Sequence, residues 1–227
     1  MPRAASQSLT QTAYENLRAD LLACRFEPGK HLRIADLCAR LSVSQGIVRE
    51  ALSRLTSEGL IEALPQRGFK VVQLSATDLL HLTSALCEIE SVCLKRSIAI
   101  GNIQWESVIV AAYHTLAATP QLDPAAGLQF ETFLQANDAF RNSLVAACDN
   151  PWLAKMRHML RTQALRYQLV SKPERNAIVE VYGVVMQHTL ARNAEKACEI
   201  LCNSMMERAQ TAARLLAATN DTDADFR

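Results

Sequence analysis

The chain has 227 residues and a formal net charge of +1, with 49% hydrophobic and 21% charged side chains. That length gives ample core for one or two domains, and the Ala- and Leu-rich, Gly-poor composition favours helix. No run approaches ~18 uninterrupted apolar residues and the N-terminus lacks a signal-type apolar core, so a membrane span and secretion are not expected. The seven cysteines are scattered without metal-type spacing, which fits the reducing cytoplasm.

In chain order, a first helix is expected over about Thr10 to Cys24, with Ala13, Leu17 and Leu21 inward. Phe26-Glu27-Pro28-Gly29 ends it. A short helix over Ile34 to Leu41 turns Leu37 and Leu41 inward, and Ser42-Val43 leads into a third helix that Ser44 can cap. On that helix Val48, Ala51, Leu52 and Leu55 share one apolar arc. Measured from Val48, Arg49 lies at about 100°, Ser53 at about 140°, Gly46 at about 160° and Glu50 at about 200°. One side packs; the other is small, polar and basic. Gly59 suits the left-handed position that closes the helix.

Leu60 to Leu64 and Phe69 to Val72 are strand-like runs, joined by Pro65-Gln66-Arg67-Gly68 as a hairpin turn. Three helices and a hairpin in about seventy residues follow the order of a winged helix-turn-helix, whose third helix enters a DNA major groove. The charge is distributed accordingly: residues 1–75 hold ten Lys/Arg against seven Asp/Glu, and the remainder 14 against 16. So small a surplus would bind weakly as a monomer, which points to a homodimer on a two-fold operator.

Val43-Ser44-Gln45-Gly46-Ile47-Val48-Arg49-Glu50-Ala51-Leu52, with Leu55, Glu58-Gly59-Leu60-Ile61 and Arg67-Gly68, resembles the DNA-binding domain of GntR-type transcription regulators. The resemblance covers nearly all of residues 9–73. It departs at Gln45, Gly46 and Ile47, where Arg, Thr and Pro are usual. It implies that Ser44, Gln45, Gly46 and Arg49 face DNA. Arg33, Ser53, Arg54, Arg67 and Gly68 complete the expected contact set. Losing the arginine at Gln45 implies a changed operator, since Arg reads guanine and Gln suits adenine.

Residues 74–76 form a linker, and no strand-like alternation follows. Six helices are expected near 77–100, 104–118, 126–148, 151–171, 173–192 and 194–218, broken at Gly101-Asn102, Thr119-Pro120, Asp149-Asn150-Pro151, Lys172-Pro173 and Asn193. The fold class is therefore mainly α: a winged helix-turn-helix over 1–73, an all-α bundle of about six helices over 77–218, and a frayed tail over 219–227.

In the third bundle helix, Phe130, Phe133, Leu134, Leu144, Val145 and Cys148 make an apolar stripe with Asn137 and Arg141 in its middle. A buried guanidinium needs a counter-charge. Either an internal carboxylate such as Glu88, Glu90 or Glu180 supplies it, or an anionic ligand does. Asn137-Asp138-Ala139-Phe140-Arg141, Ala146-Ala147-Cys148-Asp149-Asn150-Pro151-Trp152-Leu153 and Leu190 to Ala197 resemble the FCD ligand-binding domain of the FadR-type GntR branch. The resemblance, over roughly 77–215, implies a carboxylate effector, which many members hold through a divalent metal on one Asp or Asn and three His. Asn137 matches the first ligand, but the histidine positions fall on Arg141, Gly183 and Ser204, with His188 the one displaced candidate. No metal is expected; Arg141 would grip the acid directly, with Asn137, Gly183 and Ser204 around it.

The leading expectation is a dimeric, effector-responsive repressor. A bundle that only dimerises is the alternative. An enzyme has least in its favour, because the sequence shows no nucleophile–base pair, phosphate loop or carboxylate–His cluster.

Overall fold

The computed structural model describes residues 2–120, 128–167 and 175–224, with side chains over 9–120, 132–167 and 175–218. The chain divides into two compact units, 1–75 with 162–169, and 76–161 with 170–227.

The first unit is built from α1 (Pro2–Leu22), β1 (His31–Leu32), α2 (Ile34–Leu41), α3 (Gln45–Ser57), β2 (Ile61–Leu64) and β3 (Gly68–Val71). Leu17, Leu37, Val48, Leu52, Leu55 and Leu60 are each at most 3% exposed and form one core. Each such burial contributes roughly 1.5–3 kcal/mol. The sheet has three antiparallel strands in the order β1-β3-β2, not the two-stranded wing expected. Its register pairs Leu32 with Phe69 on one edge and Ala63 with Phe69 on the other. A two-residue strand shows no alternation, so β1 left no periodic signal in the sequence.

Asp20, buried on α1, accepts from Arg25 Nη1 at 2.8 Å and Arg40 Nη2 at 2.6 Å, tying α1 to α2. Glu58 at the end of α3 accepts from Arg18 Nε at 2.9 Å and from the Tyr14 hydroxyl, tying α3 to α1.

Among the described residues the regular elements of the second unit are all helices: α4 (Ala76–Ile100), α5 (Ile103–Ala118), α6 (Leu128–Leu144), α7 (Pro151–Leu165, its last turn grouped with the first unit), α8 (Arg175–Leu190) and α9 (Ala194–Ala224). Asparagines mark three of the starts. Asn102 Oδ1 accepts from Trp105 N at 3.0 Å, Asn150 Oδ1 from Trp152 N at 3.0 Å and Asn193 Oδ1 from Lys196 N at 3.3 Å. The expected break at Lys172-Pro173 and the end of the chain at 225–227 lie outside the described residues. α9 runs through to Ala224, beyond the expected end at 218. α6 stops at Leu144, four residues earlier than expected, and Val145 to Cys148 form a turn. α9 packs along both α4 and α8, and α5 lies against α6 and α8. Phe133, Phe140, Ile109, Tyr182 and Leu201 are each at most 1% exposed, and Phe140 stacks on Tyr182.

Candidate nucleic-acid interface and buried polar cluster

Ser44 stands at the N-cap of α3 in extended conformation, but its hydroxyl makes no cap hydrogen bond, contrary to expectation. Its carbonyl accepts Val48 N at 3.2 Å, the first bond of the helix, and its side chain is exposed. At the other end Gly59, with φ 69°, and the bonds Leu60 N to Leu55 O and Gly59 N to Thr56 O close the helix in a Schellman motif. Between these ends Val48, Ala51, Leu52 and Leu55 are 0% exposed, while Gln45, Gly46, Arg49 and Ser53 are all exposed. A Cβ added to Gly46 would meet only the Ser44 hydroxyl, at 3.9 Å, so this surface is open.

Arg54 departs from that face. Its guanidinium lies 3.9 Å from the centre of the Tyr14 ring, and Nη1 donates to Gln11 Oε1 at 2.9 Å, so it braces α1. Arg33, at the N-cap of α2, is exposed. Arg67 is exposed at the β2–β3 turn, between the left-handed Gln66 (φ 61°) and Gly68 (φ 88°). A narrow basic and polar helix face, flanked by a basic hairpin tip, is what a winged helix presents to a DNA groove.

In the second unit Asn137 and Arg141 are buried, 7% and 9% exposed, one turn apart on α6. Phe133 and Leu144 of the expected stripe are buried beside them, Leu134, Val145 and Cys148 are half-buried, and the Phe130 side chain lies outside the described residues. Arg141 has an internal partner: its Nη2 donates to Glu90 Oε1 of α4 at 2.5 Å and also reaches Met205 Sδ of α9 at 3.2 Å. Glu90 serves more than Arg141. Arg157 Nε of α7 donates to Oε2 at 2.7 Å, and Arg161 Nη1 reaches Oε1 at 3.4 Å. Arg161 also donates to Asp138, and Arg157 to Asn142 Oδ1 and to the Arg141 carbonyl.

Three buried guanidinium groups thus converge on one buried carboxylate, with the half-exposed Asp138 as the second acid. The electrostatics follow. Burial alone would raise the Glu90 carboxyl, but Arg141, Arg157 and Arg161 hold it down at about 2. Burial and then the neighbouring arginine charge pull Arg161 down to about 10. Burial opposes ionisation of Tyr182 as well, yet the charges of Arg208 and Arg141 outweigh it and lower that phenol. Two atoms of the cluster, Asn137 Oδ1 and Arg141 Nε, are buried with no hydrogen-bond partner among the described residues.

Gly183 does not face this cluster. A Cβ there would lie 2.6 Å from the Tyr113 hydroxyl, on another side of α8. Its neighbour Tyr182 faces inward instead, fully buried, stacked on Phe140 with centroids 5.0 Å apart and with the Arg208 guanidinium 5.9 Å from its ring centre. Ser204 is half-buried on α9, one residue before Met205. The family's divalent metal does not fit here, because Asn137, Arg141, Tyr182 and Ser204 offer an amide, a fixed cation, a phenol and a hydroxyl. Nor do the described residues gather three His, Cys, Asp or Glu with metal-holding geometry, so His188 gains no ligand partners. Sequence reading missed Arg157 and Arg161; their i,i+4 spacing on the side of α7 shared with Leu153 was the available signal.

The first unit, the head, with its exposed α3 defines a winged helix-turn-helix DNA-binding protein joined to a helical bundle. Residues 9–71 match the bacterial regulatory proteins, gntR family, and residues 81–208 match the FCD domain. The chain belongs to the GntR family of transcription regulators, in its FadR-type, FCD-containing branch. It is 34% identical over 208 residues to the HTH-type transcriptional regulator BphR of Paraburkholderia xenovorans LB400, covering 88% of this chain and 84% of that one. It is 29% identical over 197 residues to the HTH-type transcriptional repressor GlaR of Escherichia coli K12, covering 83% and 88%. A GntR transcriptional regulator from Rhodococcus sp. RHA1 shares the fold, with TM-score 0.70 and 21% identity over 93% of this chain and 99% of that one. It is a DNA-binding transcription regulator and not an enzyme.

Proposed function

We propose that the protein is a cytoplasmic, homodimeric repressor of a nearby catabolic operon, released or recruited by a small organic acid bound in its helical bundle. In this reading residues 1–73 hold DNA, 74–76 link, and 77–218 bind effector and dimerise. Ser44, Gln45, Gly46, Arg49 and Ser53 enter the major groove, Arg33 and the Arg67-Gly68 tip lie along phosphates or the minor groove, and Arg54 acts through α1. The acid is held by Asn137, Arg141 and Ser204, with Tyr182 in the place expected of Gly183. Its binding alters the spacing of the two recognition helices in the dimer.

The observation that carries the effector reading is the excess of buried positive charge: three guanidinium groups around Glu90, one with an orphaned Nε. A buried cation without full compensation is costly, and a carboxylate ligand would offset it. Isothermal titration of the purified protein with small organic acids tests it. Heat of binding that persists with EDTA and vanishes in Arg141→Ala is expected; loss with EDTA, or survival in Arg141→Ala, overturns it. Footprinting on the DNA beside the protein's own gene, repeated with the same acids, tests the regulatory half. The Arg141–Glu90 pair itself favours a second reading, in which the bundle only dimerises; there no acid gives heat and none changes the footprint.

A further inference from the structure

Cys198 and Cys202 lie one turn apart on α9. Across the seam between α4 and α9, Cys87 Sγ approaches the Cys202 carbonyl at 3.8 Å, and Cys202 Sγ approaches the Cys87 carbonyl at 3.6 Å. That reciprocal contact sets the two residues directly opposite each other. One turn along α4, Ser91 Oγ lies 3.3 Å from Cys202 Sγ, and Cys198 Sγ reaches the Ser91 carbonyl at 3.7 Å. Cys87 and Cys202 are free and only half-buried, so a small reagent can reach them. We propose that Cys87 and Cys202 form a peroxide-reactive dithiol, a modification site in which Cys202 is the attacking thiol and Cys87 the resolving one.

The asymmetry between the two has a physical cause. When Cys202 is a thiolate, the Cys87 S–H and the Ser91 O–H can both donate to it, and Arg141 lies within electrostatic reach. Together these outweigh burial and the opposing charge of Glu90 and lower the Cys202 thiol. Cys87, as the donor beside a thiolate, is pushed up. A thiolate-rich, accessible sulfur next to a resolving thiol is the environment that selects for oxidation.

The chemistry balances with a hydroperoxide as oxidant. The Cys202 thiolate attacks the distal peroxide oxygen, the O–O bond breaks, and the departing alkoxide or hydroxide takes up a proton as alcohol or water. The Cys202 sulfenic acid then loses its hydroxyl as water when Cys87 sulfur attacks, giving a Cys87–Cys202 disulfide. Two thiols lose two electrons in all, and the peroxide gains them.

The proposal is independent of any effector and is tested on the full reduced protein with hydrogen peroxide. At timed points free thiols are alkylated, and peptides are mapped by mass spectrometry without reductant. Cys202 is expected to oxidise first, by about tenfold over the five cysteines outside the pair, and Cys87–Cys202 to be the first cross-link, reversed by dithiothreitol. Any other cysteine reacting as fast, or another cross-link forming first, overturns it. In Cys87→Ser, Cys202 is expected to stop at the sulfenic acid and form a dimedone adduct; absence of that adduct in folded variant removes Cys87 from its role. Competitive alkylation of the wild-type thiols across pH needs no variant: Cys202 is expected to label at the lowest pH, and labelling with the other thiols counts against it.

Discussion

Gln45 stands exposed in the first turn of α3, where its amide can donate and accept toward a base edge. An Asn or Gln amide pairs with adenine N6 and N7, whereas Arg pairs with guanine O6 and N7, and each good pair is worth about 1–3 kcal/mol of discrimination. Gln45→Arg should therefore move one position of each half-site from adenine to guanine without weakening binding elsewhere. Selection from a randomised operator library reads this directly, and an unchanged consensus would detach Gln45 from base recognition. At Glu90 the consequence is thermodynamic. Its carboxyl is held at about 2 against an ordinary 4.5, so the ionised form favours the folded state. That stability, roughly 3 kcal/mol for such a shift, is fully present above pH ~4.5 and drains away as pH falls toward 2. Glu90→Gln should flatten the acid limb of urea unfolding over that window. It should also cost about 3–5 kcal/mol at neutral pH, because three guanidinium groups lose their shared carboxylate.

At the scale of elements, α3 was legible because its chemistry is local. The apolar arc, Gly59 and the polar outer face all recur at helical spacing, and the burial of Val48, Ala51, Leu52 and Leu55 follows from it. What depended on distant partners was not legible. Arg54 carries no local mark that Tyr14 and Gln11, some forty residues earlier, will hold it. Arg141 was readable as needing a counter-charge, and Glu90 was among three carboxylates able to supply it. That Arg157 and Arg161 share Glu90 depends on how α4, α6 and α7 pack, and periodicity does not encode that. A rotation of one residue on α8 separates Gly183 from Tyr182, a difference of about 100° that spacing alone could not fix. In the proposed reading the hairpin is the second DNA-directed element, with Arg67 exposed at its tip and set against phosphates. Arg67→Ala should weaken binding by a similar factor on every sequence and reduce the salt slope by about one. A sequence-selective loss would place Arg67 on base edges instead.

The whole molecule carries a formal charge of only +1, and the head's ten Lys/Arg against seven Asp/Glu give it little long-range pull on DNA. Of those basic residues, Arg18, Arg25, Arg40 and Arg54 are engaged within the head, which leaves few for phosphates. With so few contacts a single head would fall in the weak, non-specific range at physiological salt. Two heads on one two-fold site double the contacts and make the second engagement intramolecular, which raises affinity steeply. Binding should therefore depend on the phase between half-sites. An insertion of about five base pairs, half a helical turn, moves one half-site to the opposite face of the duplex. Affinity should then collapse toward that of an isolated half-site, and an insertion of about ten should restore part of it. Sedimentation velocity on the free protein should give a single species of twice the chain mass. If the chain sediments as a monomer and tolerates the five-base-pair insertion, each head reads DNA alone, and the small basic surplus would have to be reconciled with specific binding by base contacts only.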